Sequence, residues 1–119
     1  MAKKILLVAI ATLLVTAMSA TADDALKEAI AADYDHDLRA LFEHFHRHPE
    51  LSFRELQTAE RLAAELRDAG VEVTEGVGGT GIVGMLRNGD GPTVLVRADM
   101  DGLPIQEDTG LPYASTATQ

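Results

Sequence analysis

Apolar positions recur every three or four residues from Asp24 to about His48. Leu26, Ile30, Tyr34, Leu38, Leu41, Phe42 and Phe45 share one face, which predicts an amphipathic helix. Pro49 ends it, because a proline forces the residue before it towards extended geometry. A second helical pattern, from about Arg54 to Ala69, places Leu56, Ala59, Leu62, Ala63 and Leu66 on one face. Ser52 with Glu55 three residues on reads as a capping box, and Gly70 as the stop. Val71–Thr74 then alternates as a short strand. Ile82–Leu86 and Thr93–Val96 are apolar and β-branched, and Asn88-Gly89-Asp90-Gly91 between them is a hairpin signal. Val94-Leu95-Val96 has no polar alternation, so both faces of that strand are expected to be covered. The two helices can cover one face; nothing else in the chain is available for the other. The pattern predicts an α/β layer, two helices followed by a strand and a β-hairpin, and an incomplete domain.

The first 22 residues follow a different logic. Lys3 and Lys4 precede an apolar block, Ile5–Thr16, and Ala20-Thr21-Ala22 is a small-x-small cleavage pattern. The block is shorter than the ~20 residues a bilayer span requires. It reads as a Sec-type signal cleaved after Ala22, giving a periplasmic or secreted mature chain of residues 23–119; a retained N-terminal anchor is the alternative. Cleavage removes two lysines and no acids, taking the formal charge from −9 to −11. Such a chain repels nucleic acid and anionic membrane surfaces, and neither is expected as a partner. The absence of cysteine excludes a disulfide framework.

Three constellations invite a chemical reading. His44 and His48 have the i, i+4 spacing of helical zinc ligands, but His48 stands at the frayed helix end and Glu43 precedes His44 instead of following it. Capping, solvation or packing at the helix C-terminus suits them better. The glycines of Gly76–Gly84 suggest a phosphate loop, yet a strand follows them where such a loop must open a helix, so a tight β-connection is expected. Asp99 and Asp101 stand one residue apart at the end of an apolar strand. There they can bind a divalent metal, orient a ligand imidazole, or, in the case of a pairing with Arg97, serve structure alone.

His46-Arg47-His48-Pro49-Glu50-Leu51-Ser52-Phe53, Gly78-Gly79-Thr80-Gly81, Arg97 through Ile105, and Thr109-Gly110-Leu111-Pro112-Tyr113 resemble, in order and spacing, the N-terminal part of the M20 metallopeptidase family. The nearest branch is that of hippurate hydrolase and N-acyl-amino-acid amidohydrolases. The resemblance implies a three-layer, zinc-exopeptidase-like α/β domain carrying a lid domain. It also implies a pair of divalent metals (zinc, manganese, cobalt or nickel), a glutamate base, and hydrolysis of N-acyl or aroyl amino acids. On it, Asp101 maps to the carboxylate that orients a metal ligand. Asp99 falls where related peptidases place a ligand histidine, a weak ligand candidate. The His-Ala-Cys-Gly-His-Asp motif that supplies ligands in the amidohydrolase branch does not occur in these residues. The 119 residues alone are therefore expected to bind no metal pair and to be inactive. The rival expectation is a small secreted, non-catalytic binding module derived from the same half-domain.

Overall fold

The computed structural model describes residues 23–117. The expected export signal and its cleavage site lie outside them. Two units are distinguished, one ending at Phe42 and one beginning at Glu43.

In the first unit, residues 23–33 are α-helical (α1) and continue into a π-helical stretch, Tyr34–Leu38. Intrahelical pairs line its polar side. Lys27 meets Asp23 at 2.6 Å, and Arg39 reaches Asp35 one turn back while lying over the Tyr34 ring. Leu26, Ile30, Tyr34, Leu38 and Phe42 form the apolar stripe the periodicity predicted, and all are exposed.

Helix α2, Arg39–Arg47, stops before Pro49 as expected. Helix α3 covers Leu56–Asp68. Its start corrects the predicted capping box: Ser52 supplies no cap. The carboxylate of Glu50 instead accepts the amides of Thr58 at 2.7 Å and Gln57 at 3.3 Å. These are the N2 and N3 donors that a capping side chain ordinarily satisfies, and a negative charge at this end also complements the helix dipole. Burial raises the Glu50 pKa, but the Thr58 amide and hydroxyl and the Gln57 amide outweigh it, and the net shift is downward.

At its other end α3 closes as predicted on Gly70, at φ +80°. The Gly70 amide donates to the Arg67 carbonyl and the Val71 amide to the Leu66 carbonyl, both at 2.9 Å, the two bonds of a Schellman motif.

Two antiparallel strands follow: β1, Glu72–Val77, and β2, Gly81–Met85. The hairpin lies earlier than the Asn-Gly signal suggested. Its turn is Gly78-Gly79-Thr80, and Thr93–Val96 joins no strand among the described residues. Gly78 and Gly79 take φ of +69° and +116°, conformations that favour glycine. A Cβ on Gly81 would stand 2.3 Å from the Val77 carbonyl oxygen. The glycine cluster is thus the close β-connection expected of it.

Helix α3 packs on both strands through small residues, with Ala59 and Ala63 buried. Gly84 completes the close approach, since a Cβ there would meet Val71 and Leu66 side-chain carbons at 3.0 and 3.5 Å. Leu56, expected on the packed face, is exposed instead. The Thr80 hydroxyl donates to the Glu55 carboxylate at 2.7 Å, tying the hairpin turn to the start of α3. This bond, followed by nearby backbone amides, holds the Glu55 pKa below its ordinary value.

Candidate functional site

Beyond β2 the chain forms no helix or paired strand before Gly102. Val94, Leu95 and Val96 are 82%, 87% and 88% exposed, so neither face of this segment is covered by the described residues. Order returns where the chain meets the stretch between His46 and Leu51. The Gly102 amide donates to the Glu50 carbonyl at 2.7 Å, and Leu51 and Gly102 form an isolated parallel bridge. Only glycine fits there without movement: a Cβ on residue 102 would lie 2.6 Å from the Pro49 Cβ. The His-Pro-Glu-Leu motif and the Asp-Met-Asp-Gly motif, distant in sequence, are thereby placed side by side.

A second seam lies a few residues on. His46 Nε2 stands 2.8 Å from Glu107 Oε1, the Thr109 hydroxyl donates to the same oxygen, and the Ser115 amide donates to Oε2 at 2.6 Å. The hydroxyl of Thr109, then His46, then the Ser115 amide lower the Glu107 pKa to about 2. Tyr113 presents its ring edge-on to His46, with centroids 5.1 Å apart, and Arg47 lies over the same ring at 6.0 Å. The Ser115 hydroxyl reaches the Arg47 carbonyl at 3.5 Å.

Beside these seams lies an open cavity of about 540 Å³. Asp99, Asp101, His46 and Glu107 line it together with the apolar Phe45, Leu103 and Ile105. The two acids have different surroundings. Asp99 is held by both guanidinium nitrogens of Arg97, the structural pairing anticipated as one reading of the motif. Asp101 is exposed and takes no partner among the described residues. His44 and His48 lie apart from this cavity and line a neighbouring depression of about 480 Å³, their ring centroids 5.0 Å apart.

Among the described residues, no group of three or more His, Cys, Asp or Glu is arranged to hold a metal ion. No described helix is long and apolar enough to cross a membrane.

Glu107, Thr109 and Ser115 escaped the sequence reading as site residues. Glu107 has no local pattern, because its partner His46 is 61 positions away. The one available signal was the Thr-Gly-Leu-Pro-Tyr motif immediately after it.

The class defined by this arrangement is part of an α/β domain whose acidic loop lies beside a helix-terminal His-Pro-Glu-Leu segment. No protein-family model matches the chain. It is 48% identical over 84 residues to the hippurate hydrolase of Campylobacter jejuni, an alignment covering 66% of this chain and 22% of that protein. It is 47% identical over 73 residues to the putative amidohydrolase YhaA of Bacillus subtilis, covering 60% and 18%. Among solved structures it matches the YXEP protein of Bacillus subtilis, described as a dinuclear metal binding peptidase of the M20 family. That match has a TM-score of 0.57 and 38% identity, and covers 64% of this chain and 22% of the other. Over the matched residues the chain is similar to members of the M20 family. It spans about a fifth of the length of the curated relatives it matches.

Proposed function

We propose that these residues belong to an exported, metal-dependent amidohydrolase that cleaves the amide of N-acyl or aroyl amino acids, with hippurate-like compounds as the substrate class. The observation that carries this reading is the convergence of the His46–Leu51, Asp99–Gly102 and Glu107–Ser115 segments on one cavity, in a chain similar to a hippurate hydrolase over 84 residues. Export rests on the pattern of residues 1–22. In this reading Asp101 is the supporting carboxylate, orienting a ligand that the described residues do not contain. A metal pair, when bound, supplies a water activated for attack on the amide carbon. Phe45, Leu103 and Ile105 provide an apolar wall for an acyl group. The described residues by themselves lack the donors for that chemistry, so the 119-residue chain alone is expected not to hydrolyse such substrates.

The test is an assay of the longest reading frame that encodes these residues, with hippurate and N-acetyl amino acids, before and after chelation. Chelator-sensitive hydrolysis that falls about 10–100-fold in Asp101→Ala, and is nearly unchanged in His44→Ala, supports the reading. The absence of hydrolysis in a product that includes a His-Ala-Cys-Gly-His-Asp segment overturns it. So does full activity in Asp101→Ala.

A further inference from the structure

Asp101 has no side-chain partner among the described residues, so its position depends on how the backbone on either side is held. One residue on, Gly102 is fixed to the Glu50 carbonyl. Two residues before it, Asp99 pairs with Arg97, a neighbour in the same exposed segment, which ties it to nothing outside that segment. The next fixed point is Glu107. Between them the Ile105 amide donates to the Leu103 carbonyl at 2.8 Å, a tight turn that leaves little slack.

Glu107 is more than a loop residue with one contact. Its carboxylate accepts from Thr109 and Ser115 and pairs with His46, so one side chain gathers two positions of its own segment and one of α2. Both anchors end on the same short stretch, His46 to Leu51. A single bond at Gly102 lets the loop pivot about that point; a second bond to the same stretch removes the pivot.

We propose that His46 and Glu107 form a positioning pair that fixes the Asp99–Gly102 loop at the cavity. The pair acts through Asp101 and touches no substrate. Its relevance to amide hydrolysis rests on the role given to Asp101 above, but the pair itself can be tested without that role.

The experiment is hydrogen exchange read by mass spectrometry on the dilute 119-residue chain, comparing the unsubstituted protein with Glu107→Ala, His46→Ala and Glu107→Gln. In both alanine variants, amides across residues 99–110 are expected to exchange about tenfold faster, while those of α3, β1 and β2 keep their rates. Glu107→Gln is expected to recover part of the protection, because its amide oxygen still accepts the Ser115 N–H. Unchanged rates over 99–110 in either alanine variant overturn the proposal. Equal acceleration throughout the chain, no recovery in the glutamine variant, or free-chain exchange over 99–110 in the unsubstituted protein also overturns it. Hydrolysis enters none of these readouts, so loss of the hydrolase reading and loss of the pair are distinguishable.

Discussion

Between Leu56 and Met85, backbone geometry closes each turn: a Schellman motif at Gly70, left-handed glycines at Gly78 and Gly79, and a carbonyl pressed against Gly81. Between Leu86 and Ala117 the chain forms no helix and no strand beyond the single bridge at Gly102, and its order comes from that backbone contact and from one carboxylate with three partners. The first region is held by contacts among near neighbours. The second depends on a distant helix end. The hairpin region can therefore keep its shape when the loop loosens, whereas the loop follows whatever happens to the stretch before α3.

The strongest challenge to this contrast is Gly81→Ala. The added methyl would lie 2.3 Å from a backbone oxygen, which cannot move aside as a flexible side chain can. The expected cost is about 1–3 kcal/mol, the usual range for forcing an atom into a filled space. Urea unfolding should show it as a lower midpoint, with protection lost over residues 72–85. Survival of the hairpin at unchanged stability would show that backbone sterics do not hold this region.

A smaller effect separates the two candidate caps. Glu50→Ala removes the acceptor for the first-turn amides of α3 and should cost ~1 kcal/mol, as the loss of a capping side chain does. Ser52→Ala should be silent by the same unfolding measurement. If the serine variant proves the costlier, the cap is misassigned.

The mildest test is acid. Glu107 titrates in the folded chain at about 2, below its ordinary value near 4.5. A carboxyl depressed on folding contributes stability that is fully present above the unfolded value and is lost as pH falls through the folded one. The loop should thus loosen between about pH 4.5 and 2. The Tyr113 ring resonances, followed by NMR through that window, should move towards free-chain values, and Glu107→Gln should flatten the change. The downward shift at Glu50 places the first-turn cap of α3 under the same acid-side logic.

Much of the first region was legible because its determinants are local. Periodicity located α2 and α3, Pro49 and Gly70 marked their ends, and the alternation from Val71 found β1. The hairpin was misplaced because two glycine-rich turns compete within sixteen residues of sequence, and only pairing geometry decides between Gly78-Gly79 and Asn88-Gly89. The cap on α3 was misread for a related reason. Ser52 has the right type and spacing, but Phe53 beside it adopts φ +65°, in a bend closed by the Arg54 amide on the Leu51 carbonyl, and Glu50 reaches the helix instead. At the cavity, Asp99, Asp101 and their relation to Arg97 could be read in advance. Glu107 could not, since nothing within a few residues of it specifies an approach to His46.

The bond between the Glu50 carbonyl and the Gly102 amide also has a consequence for the order of folding. A hairpin closed by three turn residues forms in roughly 1–10 μs. Joining residues 50 and 102 closes a far larger loop, and the associated entropy must be lost before the contact gives anything back. The local helix–hairpin layer should therefore be in place while the acidic loop is still searching. In a refolding experiment the cavity would be the last feature to appear, and the first to open when the chain begins to unfold.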